Sequence, residues 1–167
     1  MTSILISGGS GSFGRAMARC LLDDEECERI VIYSRGEHAQ ADMARQFATL
    51  DKHGRLRFII GDVRDRDRLR RALRGITHAI HAAALKRIEV GAYNPIEMVK
   101  TNIGGAINMI EAANDAGVER VVALSTDKAW QPISPYGQSK ALAETLFRNA
   151  YQGGTLFSVC RYGNVWR

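Results

Sequence analysis

Short apolar runs alternate along this chain with longer segments whose apolar positions recur every three to four residues. The runs Ser3–Ser7, Arg29–Tyr33, Arg57–Ile60, His78–His81, Val121–Ser125 and Phe157–Cys160 are rich in Ile and Val and apolar on both faces. Strands of a parallel sheet read this way because helices cover both of its sides. Helical patterns lie between them, at Phe13–Leu22, Glu37–Leu50, Asp65–Leu73, Thr101–Ala116 and Gly137–Tyr151. In the fourth, Ile103, Ile107 and Ile110 recur with Ala106 and Ala113 at helical spacing, and Gly117 stands where a glycine ends a helix.

Alternating strands and helices of these lengths predict right-handed βαβ units and a doubly wound parallel α/β sheet. Six strands in the order 3-2-1-4-5-6 make a complete Rossmann-type domain, here spanning residues 1–167 with no second domain. There are no internal repeats, low-complexity tracts or obvious linkers.

Composition adds exclusions. At 167 residues, 46% hydrophobic and 25% charged, the chain is long enough to bury a core without staples. No apolar run approaches the ~18 residues of a membrane span. The opening "MTSILISGG" lacks a basic region and a cleavage site, which predicts no signal peptide and a cytoplasmic protein. The 3 cysteines are odd in number, lack metal spacing and read as free thiols. A net charge of +5 raises the question of nucleic acid. The densest basic run, Arg64–Arg74, alternates with Asp65 and Asp67 and reads as the solvated face of a short helix, with Leu69 and Leu73 turned inward. No nucleic-acid recognition motif is present, and an anionic small molecule explains the charge equally well.

The first strand runs into "SGGSGSFG", with Gly8, Gly11 and Gly14 at three-residue spacing. Between a strand and a helix, such a loop turns sharply, lets a pyrophosphate approach its backbone and aims helix N–H groups at it. Ser12 and Phe13 belong to the same expected cofactor loop. At the tip of the second strand an NAD binder usually carries a carboxylate. Here the tip is Ser34-Arg35, and Arg35 suits a 2′-phosphate, so NADP is expected over NAD, with Glu37 close enough to keep NAD open. After the third strand, Asp62 and Val63 are placed to meet an adenine edge; Asp62 alternatively caps a helix. After the fourth, Ala82, Ala83 and Ala84 are small enough for a cofactor to lie across the strand ends, or pack closely for their own sake.

The chemistry concentrates in "LSTDKAWQPISPYGQSK", Leu124–Lys140. Tyr136 and Lys140 are four apart at a helix start and so share a face. A free tyrosine titrates near ~10 and is a poor base at neutral pH. A neighbouring ammonium and an oxidised nicotinamide would both favour the phenolate. Tyr136 then takes a hydroxyl proton while hydride leaves the same carbon.

These motifs together resemble the extended short-chain dehydrogenase/reductases, and among them the inverting branch of the nucleotide-sugar 4,6-dehydratases. The resemblance runs nearly end to end, through "ILISGGSGSFG", "YSRGE", "FIIGDVRD", "HAAALKRIEVGAYNP", "KTNIGGAINMIEAA", "ALSTDKA", "PYGQSK" and "RYGNV". It implies oxidation at C4 of a UDP-sugar, loss of water across C5 and C6, and return of the hydride to C6. It implies that Thr126 polarises the C4 ketone, Lys128 removes and returns the C5 proton, and Asp127 protonates the departing C6 hydroxyl. Asp127 and Lys128 are then expected to be partly desolvated and to hold one shared proton. It further implies that Lys86 and Asn102 line the cleft.

Members of that family are nearly twice as long. Here "RYGNV" is followed by Trp166-Arg167, so the substrate lobe and the last part of the sheet are expected to be missing. The chain then works with a complementary chain, acts as a compact variant or homo-oligomer, or is a catalytically silent dinucleotide-binding module. An epimerase or reductase of the same superfamily is a further alternative. Trp130 and Arg87 either narrow the pocket or decorate it.

Overall fold

The computed structural model describes residues 2–150 and 154–163. Six strands form one parallel sheet: β1 (Thr2–Ser7), β2 (Cys27–Ser34), β3 (Leu56–Ile60), β4 (His78–His81), β5 (Arg120–Thr126) and β6 (Leu156–Tyr162), in the order β3-β2-β1-β4-β5-β6. This is the predicted order, with the chain reversing direction across the sheet between β1 and β4. The helices are α1 (Ser12–Leu22), α2 (Glu37–Phe47), α3 (Arg66–Ala72), α4 (Ile88–Tyr93), α5 (Pro95–Met98), α6 (Gly105–Ala116) and α7 (Pro135–Arg148). The predicted helix end at Tyr151 and the end of "RYGNV" lie outside the described residues.

Strand residues apolar on both faces feed two cores. Leu5, Val31, Ala79 and Val121 face one side, with Leu69, Met109 and Phe147 from α3, α6 and α7. Their neighbours Ile4, Ile6, Ile30 and Ile32 face the other, with Ala18 and Leu22 from α1 and Met43 and Phe47 from α2. Alternate side chains point to opposite faces of a strand, so a sheet covered twice needs both sets apolar.

The basic run behaves as predicted. Leu69 and Leu73 are buried, while Arg66 pairs with Glu111 and Asp115, each at 3.0 Å. Gly117 ends α6 in the left-handed conformation, φ 69°. Sequence periodicity missed α4 and α5, of six and four residues, because they are too short to show a repeat. It also read Thr101–Ala116 as uniform helix. The chain instead makes a wider π-helical turn over Val99–Gly104 before α6 begins. Such turns cluster at functional sites, and this one faces the cavity described next.

Candidate active site

β1 delivers Ser7 to the sheet edge, and the glycine loop follows. Gly8 takes a left-handed φ of 69° and lies against the end of β4; a side chain there would begin 2.9 Å from Ala83. Gly11 is the residue preceding α1 and lines the cavity, where an added methyl would lie 3.2 Å from the Gly8 carbonyl. Gly14 is buried, and a methyl group there would land inside the backbone of Gly9. Arg15 pins the loop to α2, donating to the Ser10 carbonyl at 3.0 Å and the Ala39 carbonyl at 2.8 Å.

A cavity of about 500 Å³ opens in front of this loop, across the carboxyl ends of the strands. Such crevices, where the strand order reverses, are where doubly wound sheets hold ligands. Gly8, Gly11 and Phe13 form one part of the wall, and Ser34, Arg35, Asp62 and Val63 a second. Ala82, Ala83, Ala84 and Lys86 run along it, and Tyr136 and Lys140 reach it from α7. The sequence did not single out Tyr33, Thr101, Leu124, Ser125 or Tyr162, which also line it. Thr101 is the most informative of these. It is 4% exposed, and its hydroxyl has no hydrogen-bond partner. A buried hydroxyl without a partner is unfavourable by a few kcal/mol, and Thr101 carries one at the cavity wall.

Several expected cofactor residues sit elsewhere. Ser12 opens α1 and is exposed, and Gly14 packs against the loop; neither lines the cavity. Asn102 is 2% exposed and spends its amide on protein: it accepts from the Leu85 N–H at 2.8 Å and donates to the Leu85 carbonyl and Ser139 Oγ, both at 2.9 Å. It clamps the loop after β4 to α7 instead of lining the cleft. Asp62 does not cap α3; Asp65 does, accepting from the Arg68 N–H at 2.9 Å. The Asp62 carboxylate accepts from the Arg64 backbone and, at 2.9 and 2.7 Å, from its guanidinium. Burial raises the Asp62 carboxyl, but these bonds and the charges of Arg64 and Arg35 hold it below its ordinary range. Arg35 leans toward it at 3.7 Å and stays about half exposed. Trp130 and Arg87 are not part of the wall.

The Thr-Asp-Lys triplet occupies the end of β5 and the 3-10 turn Asp127–Ala129. Thr126 Oγ1 donates to Asp127 Oδ1 at 2.9 Å and accepts from the Lys128 N–H at 3.3 Å. Lys128 Nζ reaches Asp127 Oδ1 at 3.4 Å. α7 starts with Pro135 after the capping Ser134, whose hydroxyl accepts from the Gly137 N–H at 3.2 Å. Gly137 lies directly on the Lys128 carbonyl, with no room for a side chain between. The triplet is therefore seated on the first turn of the Tyr136–Lys140 helix. Thr126 stands between the two sets, near enough for its hydroxyl to favour ionisation of the Tyr136 phenol.

The electrostatics differ from expectation in two places. Burial pushes the Tyr136 phenol up, and the nearby Thr126 hydroxyl only partly offsets this. The expected phenolate partner, Lys140, instead donates to the Leu124 carbonyl at 2.5 Å; burial brings its ammonium down to about 8, against the charge of Glu144. The Asp127 and Lys128 side chains are 57% and 40% exposed, not desolvated. Hydrogen bonds from Thr126 and Lys128 hold Asp127 below its ordinary value, so it is ionised here.

Residues 4–167 match the family described as polysaccharide biosynthesis protein. The chain belongs to that family. As a polysaccharide biosynthesis family member with this motif set, it is an extended short-chain dehydrogenase/reductase in its Rossmann part. It is 46% identical over 167 residues to UDP-N-acetylglucosamine 4,6-dehydratase (inverting) of Campylobacter jejuni, covering 98% of this chain and 49% of that protein. It is 42% identical over 170 residues to UDP-glucose 4-epimerase of Rickettsia akari, again covering 98% and 49%. Among solved structures it is similar to a double mutant of DesIV, dTDP-glucose 4,6-dehydratase, from Streptomyces venezuelae with NAD and DAU bound. There the TM-score is 0.85 at 29% identity, over 96% of this chain and 55% of that one. The chain thus spans about half the length of the curated relatives it matches. Among the described residues no helix is long and apolar enough to cross a membrane.

Proposed function

We propose that this chain carries the cofactor site and the catalytic groups of a nucleotide-sugar 4,6-dehydratase that acts on UDP-N-acetylglucosamine with inversion at C5. The observation that carries this reading is the seating of the Thr126-Asp127-Lys128 turn on the first turn of α7, where Gly137 lies against the Lys128 carbonyl next to Tyr136. An oxidoreductase needs only the tyrosine set. A carbon acid and a leaving hydroxyl call for a further base and acid beside it.

The cavity fits a dinucleotide. The bare backbone at Gly8 and Gly11 leaves room for a pyrophosphate at the start of α1. Ser34 and Arg35 would flank the ribose. A nicotinamide held along this wall would supply the hydride acceptor for the sugar C4 and the hydride donor for C6. Tyr136 removes the C4 hydroxyl proton and Thr126 donates a hydrogen bond to the C4 oxygen. The 4-ketone acidifies the C5 proton, which Lys128 takes, while Asp127 gives a proton to the C6 oxygen as it leaves. These last two roles need a neutral amine and a neutral carboxyl, whereas Asp127 is held ionised by its hydrogen bonds. Bound sugar nucleotide would supply part of the missing cover, and a second copy or a complementary chain the rest.

The direct test is proton NMR of UDP-N-acetylglucosamine incubated with this chain and NADP in deuterium oxide. A new C6 methyl signal with deuterium at C5, lost in Lys128→Ala, is the expected result. Tight NADP binding without any methyl signal would overturn dehydratase action by this chain alone and favour a binding module or one part of a split enzyme.

Cofactor choice rests on Arg35, a half-exposed guanidinium whose link to Asp62 is long enough to yield to a 2′-phosphate. Arg35→Ala should weaken NADP at least tenfold more than NAD by calorimetry, on the scale of one charge-assisted contact of about 1.5–3 kcal/mol. Equal losses would overturn the preference.

A further inference from the structure

A third side chain continues the face of α7 that carries Tyr136 and Lys140. Glu144 lies one turn beyond Lys140 and is 5% exposed. A carboxylate so deeply buried needs donors. It has Ser125 Oγ on one oxygen and a two-pronged grip from Arg161, Nε at 2.7 Å and Nη2 at 2.5 Å. Ser125 and Arg161 stand opposite each other across β5 and β6. Ser125 also lines the cavity, and its neighbour Leu124 accepts the Lys140 ammonium through its carbonyl. Lys140 and Glu144 therefore hold consecutive residues of the same strand end.

We propose that Glu144 is a positioning residue for the Tyr136–Lys140 pair. Its carboxylate, fixed by Ser125 and Arg161 one turn along α7, is the buried counter-charge that keeps Lys140 a charged and stationary donor on the Leu124 carbonyl. The inference rests on the reading of Tyr136 and Lys140 as the oxidation pair. Lys140 has Glu144 one turn on along α7 and His81 from β4 as its charged or titratable neighbours, while Asp127 and Tyr162 lie nearer Tyr136 and Arg161 grips Glu144. His81 is neutral, and Asp127 is exposed at the far side of Thr126. Arg161 is neutralised by Glu144 itself. The direction of the Lys140 titration agrees, since burial lowers it and Glu144 opposes that.

A brace and a counter-charge predict different signs. The Lys140 side chain can be followed by its 13Cε shift through a pH titration of the intact chain, assigned by its loss in Lys140→Arg. Glu144→Gln removes the charge and should lower the Lys140 midpoint by about one pH unit, roughly tenfold in proton affinity. Arg161→Gln leaves the carboxylate but strips its neutralising partner, and should raise the midpoint. If Glu144→Gln fails to fold, Glu144→Asp, which withdraws the carboxylate by one methylene, should lower the midpoint by less, and Arg161→Gln still carries the opposite sign. Midpoints that move in the same direction, or stay put, would overturn the proposal. The titration needs neither cofactor nor sugar, so a chain that fails to turn over would still answer it.

Discussion

An alanine at position 14 should abolish dinucleotide binding and lower stability by roughly 3 kcal/mol or more, the scale of overpacking against atoms that cannot move aside. The added methyl meets the carbonyl oxygen, Cα and carbonyl carbon of Gly9, all backbone. No rotamer change relieves such a contact. Either α1 retreats or the loop Gly8–Gly11 opens. α1 is fixed on its other side by Ala18 and Leu22 in the second core, so its retreat disturbs packing as well. Both routes displace the N–H groups of the first turn from the phosphate position, and those groups act only at short range. Gly11→Ala is the control. Its methyl would have a single contact, 3.2 Å from the Gly8 carbonyl, and otherwise projects into solvent or ligand space. It should hinder the cofactor while leaving stability near wild type. Calorimetry with NADP, beside urea unfolding of both variants, separates the two. Wild-type affinity in Gly14→Ala would show that the start of α1 does not hold the phosphates.

This difference between two glycines of one motif marks what the sequence made legible. Spacing identified both, because a glycine loop between strand and helix is a local pattern. Their separate jobs depend on what each faces, Gly9 for one and the cavity for the other. The same division runs through the site. Tyr136 and Lys140 share a face because four residues make about one turn, and that arithmetic needs no tertiary structure. Their protonation does depend on it. The sequence suggested a stabilised phenolate; burial on α7 raises the phenol and lowers the amine, which turns to the Leu124 carbonyl. Asn102 was expected in the cleft, but its partners Leu85 and Ser139 come from two distant segments. The π-helical turn that carries it also places the adjoining Thr101 on the cavity wall, a change of register that apolar periodicity does not report. Asp127 and Lys128 read as a desolvated pair only if something covers them. Glu144 was passed over because a glutamate in a helix is ordinarily solvated, and only its opposed donors Ser125 and Arg161 reveal it.

Acidification from pH 6.5 to about 4.5 should destabilise the chain by roughly 2 kcal/mol, and His81→Asn should remove most of that slope. His81 is 2% exposed beneath the cavity, its Nδ1 3.0 Å from Ser7 Oγ and its ring 5.6 Å from that of Phe147. Burial, with the Lys140 ammonium close by, lowers it to about 3 from its ordinary 6.5. Between those values the unfolded chain binds a proton that the folded chain refuses, so stability falls as pH falls. The contribution is complete above pH 6.5 and is lost progressively down to about 3. Asp62, Asp127 and Glu144 are also held low, so their contributions begin to be lost only as pH falls into the ordinary carboxylate range, in the lower part of this window. Asparagine keeps a hydrogen-bonding group near Ser7 without a titrating ring. It leaves a small void against Phe147 and therefore lowers stability at pH 7, but the pH dependence is the signal. Urea unfolding at pH 7.0 and 4.5 gives the two differences directly, and parallel losses in wild type and His81→Asn would remove His81 as the cause. The acid damage should reach the site early, because Ser7 Oγ also accepts from the Ala83 N–H at 3.3 Å. A proton forced onto His81 would place two cations together under Lys140 and loosen the Ser7 post on which the strand ends Ala82–Ala84 are set.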